Sequence, residues 1–197
     1  MSTIILRMAR PEDAAVVAEI YRDYVENTTA SLELKPPTAA EMETRILTCG
    51  KIYPFLICEL DGRVVGYAFA SRHFEQSAFD WSASISTFVA KSVGSKGIGR
   101  ALLDALEGLL RAMGVINLYS LVTYNERSEY FHLARGFSGV GRLREAAYKH
   151  GQWRDLAYYE KALALHEHPP KAVRPVLELD KAEVEGILNR AKKMIKL

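Results

Sequence analysis

Residues 94–100 read Gly-Ser-Lys-Gly-Ile-Gly-Arg, and this glycine-rich stretch sits between two different periodicities. Before it, Ile85, Thr87 and Val89 alternate with Ser84, Ser86 and Phe88, the period of two that marks a strand. After it, Ile98, Leu102, Leu103, Leu106, Leu109, Leu110 and Met113 recur at steps of three and four, the stripe of an amphipathic helix. The loop therefore falls at a helix N-terminus, where unpaired backbone N–H groups and a partial positive charge collect. Glycine tolerates positive φ and lets a backbone approach a phosphate closely, and Lys96 and Arg100 add mobile positive charge at the same end. The stretch reads as a pyrophosphate cradle, with a plain strand-to-helix turn as the alternative. It is not the nucleotide loop that ends in Gly-Lys-Ser/Thr, because Arg100 and Ala101 follow the last glycine. It also lacks the three-glycine dinucleotide fingerprint.

Around this centre the remaining signals order themselves. Residues 3–8 form a first strand, and Pro11 with Glu12 and Asp13 opens a helix striped by Val17, Ile20, Tyr21, Tyr24 and Val25. Thr38 and Glu41 form a capping box for a second helix. Strands at 54–60 and 64–70 flank Asp61-Gly62, a hairpin turn. Beyond the central helix come a strand at 115–122, a short helix at 126–134 closed by Gly136, and strands at 140–148 and 153–163 joined through His150-Gly151. The order β-α-α-β-β-β-α-β-α-β-β predicts an α/β fold, a mixed sheet with helices on both faces. Residues 1–165 are expected to form this domain. Residues 166–197 are expected to add a proline-rich linker and an amphipathic helix capped by Asp180, packed on its own domain or on a second copy.

Composition narrows the function. With 49% apolar residues the 197-residue chain can fill a sizeable core, and a net charge of +2 leaves no nucleic-acid footprint. No apolar run is long enough to span a bilayer, and the first residues carry no basic n-region, so a cytoplasmic protein is expected. Cys49 and Cys58 match neither metal nor redox spacing and read as free thiols. No metal site is expected.

The segment 94–99 resembles the acetyl-CoA signature Arg/Gln-x-x-Gly-x-Gly/Ala of the GNAT superfamily of acyl-CoA-dependent N-acyltransferases. Gly97 and Gly99 match it, and Gly94 stands where the family usually carries Arg or Gln. Further on, 148–155 (Tyr-Lys-His-Gly-Gln-Trp-Arg-Asp), Asn125 with Ser128, and His132 through Phe137 resemble segments of phosphinothricin acetyltransferase-like proteins, as does Ile20-Tyr21 with 28–31. The resemblance spans residues 3–163 and implies the GNAT fold, its sheet mostly antiparallel. It also implies acetyl-CoA as cosubstrate, a small-molecule amine as acceptor, and a homodimer. It implies that backbone groups of Phe88 and Val89 pair with the pantetheine arm. Gly94, Ser95, Lys96, Gly97, Ile98, Gly99 and Arg100 would take the pyrophosphate, and Asn125 and Ser128 would reach the pantetheine, unless both merely cap a helix.

The chemistry departs from the resemblance at the base. Similar proteins carry an acid where this chain has Ser84, two residues before Ser86. The related pattern His-Arg-x-Arg-x-Ala-Tyr reads here His73-Phe74-Glu75-Gln76-Ser77-Ala78-Phe79, without the arginine forks that would grip an acidic substrate. A water relayed through Ser84 and Ser86 is the expected substitute for the missing carboxylate, and His73, Glu75 and His132 are the candidates for proton transfer, with a helix histidine satisfied by a neighbour as the alternative for His132. Glu33, His73, Glu75 and Phe79 are the expected acceptor-site residues. Two rivals stand beside a small-molecule N-acetyltransferase: an enzyme acting on a protein or peptide amine, and a non-catalytic acyl-CoA-binding or scaffold protein with a degenerate site.

Overall fold

The computed structural model describes residues 2–94 and 96–196, with Arg127 described by its backbone alone. Ser95, expected in the phosphate loop, lies outside the described residues. Seven strands form one sheet in the order β1-β2-β3-β4-β5-β7-β6. They are β1 (Ile4–Met8), β2 (Phe55–Leu60), β3 (Arg63–Arg72), β4 (Ser82–Val89), β5 (Asn117–Thr123), β6 (Ser138–Lys149) and β7 (Gln152–Ala162). Among the described residues only β4 and β5 run parallel; the other pairs are antiparallel. The two tight hairpins have the backbone their turn residues favour. Asp61 and Gly62 have φ of 50° and 76°, and His150 and Gly151 have 52° and 74°. Paired positive φ values match the right-handed twist of the joined strands.

Helices cover both faces. α1 (Ala14–Asn27) and α2 (Ala39–Gly50) bury Val17, Tyr21, Val25, Met42 and Ile46 against Phe55, Ile57, Tyr67 and Phe88 of the sheet. Thr38 and Glu41 cap α2 reciprocally, as their spacing predicts. α3 (Ile98–Met113) buries its leucine stripe on the other face, with α4 (Glu126–Leu133) nearby. α5 (Lys181–Lys192) adds Ile187, Leu188 and Ala191 to that same core, so the extension packs on its own domain. Cys49 and Cys58 are free, and burial pushes both thiols up to about 12. Among the described residues no helix is long and apolar enough to cross a membrane.

Candidate active site

β4 and β5 are in register only where Ser82, Ala83 and Ser84 face Asn117, Leu118 and Tyr119. Beyond Ser84 they part. Ala90 N–H donates to Val65 O on β3 at 2.8 Å, and N–H and C=O directions alternate along a strand. Phe88 and Ser86 therefore turn their backbone groups to β3, while Val89 and Thr87 turn theirs to the gap. Of the two residues expected to offer backbone groups to a ligand, only Val89 turns them toward the gap. Phe88 instead packs its ring against Tyr21, Tyr24 and Tyr67, with centroids 4.9, 5.0 and 5.2 Å away. Val89 is met by a residue the sequence placed only in the stripe of the first helix: Tyr24 Oη donates to Val89 O at 2.6 Å and accepts from Val89 N–H at 3.1 Å.

The gap holds a channel. Its inner part, about 180 Å³, is bordered by Ser86, Thr87, Leu103, Val122 and His132. Its outer part, about 480 Å³, is bordered by Tyr24, Thr87, Lys91, Asn125 and Ser128. On the α1/α2 side lies a chamber of about 540 Å³, walled by Tyr53, Phe55, Tyr67 and Phe69. Ser86 and Phe88 border both the inner channel and the chamber, so the two spaces meet at these residues.

The glycine loop approaches the channel wall at Gly99, whose Cβ position lies 4.0 Å from Cγ2 of Thr87. The first α3 bond runs from Ala101 N–H to Gly97 O at 3.0 Å, leaving the N–H groups of Ile98, Gly99 and Arg100 without helix partners. Gly94 and Gly97 have φ of +63° and +81°, a backbone that disfavours any side chain. Gly99 has no such need; a Cβ there would make ordinary contact with Val89 Cγ2 at 3.5 Å. Lys96 turns its own N–H to Gly94 O at 3.1 Å, so its contribution to an anion is its side chain. Asn125 is committed to capping: its Oδ1 accepts from Ser128 N–H at 2.8 Å and its Nδ2 donates to Thr123 O at 3.1 Å. It nevertheless borders the outer channel, as does Ser128.

Ser84 is not isolated. Its Oγ lies 2.9 Å from His73 Nδ1, and His73 Nε2 lies 2.6 Å from Tyr158 Oη. The imidazole stacks on Tyr119 at 4.1 Å. Burial holds the His73 pKa below its usual 6.5, which favours the neutral ring. His73 therefore stands behind Ser84 rather than in the chamber, and Phe79 packs against His73 and Phe74 instead of facing a substrate.

His132 is occupied differently. Ser128 O lies 2.7 Å from its Nδ1, and a carbonyl only accepts, so Nδ1 carries the proton. Its Nε2 lies 2.9 Å from Ser120 Oγ, and its ring stacks on Tyr159 at 4.6 Å. Burial lowers its pKa, an effect the Ser128 bond partly offsets. With both nitrogens engaged by the protein, His132 is corrected from proton donor to a tie between α4 and β5.

The chamber rim carries charge that the loss of arginines at 74 and 76 did not foretell. Arg45 from α2 and Arg72 at the end of β3 both border it. Arg45 forks onto Glu33 at 2.7 and 3.1 Å, and Glu33 also accepts from Tyr21 Oη at 3.0 Å. Arg72 pairs with Asp80 at 2.9 Å. Glu33 is thus an ion-paired wall residue, and Glu75 is an exposed rim residue.

Comparison with known proteins identifies the family. The acetyltransferase (GNAT) domain matches residues 6–157. A phosphinothricin N-acetyltransferase of Streptomyces viridochromogenes is 30% identical over 88% of this chain and 95% of its own. The L-amino acid N-acyltransferase MnaT of Escherichia coli is 30% identical over 83% of this chain and 96% of its own. The crystal structure of a phosphinothricin acetyltransferase from Sinorhizobium meliloti with acetyl-CoA superposes with a TM-score of 0.80, at 33% identity, covering 87% of this chain and 94% of that one. A strand pair that splays at Ser84, a glycine loop that approaches the channel wall at Thr87 and a match over most of the chain place this protein in the GNAT acetyltransferase family.

Proposed function

We propose that the protein transfers the acetyl group of acetyl-CoA to the primary amine of a small, amino-acid-like molecule by direct attack in a ternary complex. The observation that carries this reading is the meeting of channel and chamber at Ser86 and Phe88. One opening leads to free N–H groups and cations that suit a diphosphate; the other is an aromatic chamber with a charged rim. The spaces and donors fit a phosphorylated, extended cosubstrate. Bound acetyl-CoA supplies the activated acyl carbon, whose C–S bond breaks as the amide C–N bond forms.

The residues divide the work as follows. The N–H groups of Ile98, Gly99 and Arg100, with the Lys96 and Arg100 side chains, hold the phosphates. Val89 exchanges Tyr24 for the extended arm, and Asn125 and Ser128 border that arm. In the chamber, Tyr53, Phe55, Tyr67 and Phe69 receive the acceptor's apolar part, and Arg45 or Arg72 its carboxylate. Both arginines already face a carboxylate, so a second anionic group on the acceptor finds little net positive charge. Ser86 sits at the reacting centre. Ser84 lies on the same face, about 6.6 Å along the strand by its rise, which leaves room for one water. Ser84 Oγ–H donates to His73 Nδ1, and His73 Nε2–H donates to Tyr158 Oη. A proton leaving the amine through that water reaches Ser84 Oγ as the Ser84 proton moves to Nδ1. The imidazolium then has Tyr158 Oη as an acceptor and the Tyr119 face beneath it.

The site complete with a histidine relay favours the enzyme over a non-catalytic scaffold. A cytoplasmic location and a homodimer belong to the same reading. The dimer rests on exposed apolar groups of the β6–β7 hairpin, where Leu143, Tyr148 and Trp153 are 52%, 56% and 60% exposed. The test is release of CoA thiol from acetyl-CoA with a panel of amines. Neutral, apolar amino acids and their sulfone or sulfoximine analogues should turn over faster than phosphinothricin or peptide N-termini. Preferred acetylation of phosphinothricin, or of peptides alone, would overturn the assignment.

A further inference from the structure

Residues 166–197 lie beyond the part of the chain that the acetyltransferase domain matches, and between Ala172 and Lys196 they touch both ends of α3. At the C-terminal end of α3, Arg174 N–H donates to Met113 O at 2.9 Å. There too, Ala172 O lies 3.4 Å from where a Cβ on Gly114 would stand. α5 then runs back beside α3. Ile187 Cγ2 lies 2.8 Å from the Cβ position of Gly108, so the bare Cα there lets the two helices close. Past α5 the chain arrives at the glycine loop. Met194 O lies 3.1 Å from the Cβ position of Gly97, Ile195 is buried, and Lys196 N–H donates to Lys96 O at 3.0 Å. One segment is thus fastened to both ends of α3, and its second anchor is the phosphate loop itself.

Charge accompanies the anchor. Lys192 and Lys193 offset the negative end of α5, which would otherwise stand beside the anion-binding end of α3. Lys96, Arg100, Lys193 and Lys196 have no ion-pair partner among the described residues, and the last two are exposed. Resting on the acetyl-CoA reading above, we propose that residues 193–196 are a working part of the CoA phosphate site. They pin the loop in the conformation that Gly97 makes possible, and Lys193 and Lys196 add cations that meet the CoA phosphates.

Calorimetric titration with CoA tests this in the full chain. The exposed pair K193Q/K196Q, which adds no carboxylate at the end of α5, should stay folded, weaken CoA binding about tenfold at low salt and flatten its salt dependence. Affinity within twofold of the parent at every salt concentration would overturn the proposal. Removal of residues 194–197 should also speed amide exchange at residues 96–98, measured without ligand; unchanged exchange there would overturn the pinning. The parent's own affinity tests the acetyl-CoA reading separately. A parent that binds no CoA overturns both, whereas a parent that binds CoA with a variant that matches it overturns this inference alone.

Discussion

His73→Phe isolates the proposed base. Phenylalanine keeps a flat ring over Tyr119 but removes both nitrogens, one 2.9 Å from Ser84 Oγ and the other 2.6 Å from Tyr158 Oη. Without a base, attack depends on amine that is already neutral. For an alkyl amine with a pKa near ~10, that fraction is about 10⁻³ at pH 7 and about 10⁻¹ at pH 9. The variant's kcat should therefore fall about 10³-fold at pH 7 and only about tenfold at pH 9, within the ~10²–10⁴ that a positioned base contributes. On the barrier this is about 4 kcal/mol at pH 7. The sign in the parent follows from burial, which holds the His73 pKa below 6.5. Its imidazole is neutral and able to accept a proton at pH 7, and activity should fall only as pH drops through that lowered value. KM for acetyl-CoA should not move, because His73 lies away from the phosphate loop. The variant leaves two part-buried hydroxyls short of one bond each, worth about 1–2 kcal/mol of stability, which a melting curve separates from the rate effect. Stopped assays from pH 6 to 9.5 decide it. A variant within threefold of the parent, with the same pH profile, would refute the relay.

Two further expectations concern stability and assembly. Arg7 forks onto both oxygens of Asp13 at 2.7 Å and also meets Glu59, and Arg10 N–H donates to Asp13 at 2.7 Å. Burial pushes the Asp13 pKa up, but these bonds outweigh it and hold the carboxyl below 3.8. The stability it contributes is full above 3.8 and is lost as pH falls through the lowered value. Asp13→Asn should then cost about 2–3 kcal/mol in urea unfolding at pH 7 and clearly less at pH 3; equal cost at both would remove the ion pair from the account. For the dimer, the parent should sediment at twice the chain mass and Trp153→Glu at the single-chain mass, and a parent that sediments as one chain would dismiss the interface.

The fold was legible because its signals are local. The alternation through Ile85, Thr87 and Val89, the stripe from Ile98 to Met113, the capping pair Thr38–Glu41 and the two hairpin dipeptides each lie within a few residues of one another. The helix start at the glycine loop and the positive φ of Gly94 and Gly97 were legible for the same reason. The contacts of His73, which the sequence offered only as a candidate for proton transfer and for the acceptor site, were not. His73 and Tyr158 are 85 positions apart, and only the sheet register, with Ser84 opposite Tyr119, brings them to one place. His132 looked free because a sequence does not record that Ser120 and the Ser128 carbonyl claim both its nitrogens. Phe88 was given a ligand-facing backbone by the resemblance alone, and the period of two could not correct it, because that period fixes which side chains share a face, not which side of the ladder each N–H takes. The Gly97 requirement comes partly from a carbonyl 97 residues later, at Met194.

The splay between β4 and β5 also bears on how the protein avoids sticking to itself. An unpaired strand edge is a template on which any extended chain can add, and aggregation commonly begins there. This fold keeps such an edge in its interior, opened from Ile85 onward. Tyr24 occupies the Val89 register from the side, bonding both of its backbone groups with one hydroxyl. What remains open is centred on Thr87, too short for a foreign strand to pair with, yet long enough for a slender guest that offers one donor and one acceptor. A single phenol on α1 thus allows the cleft to stay open without becoming a nucleus for strand addition.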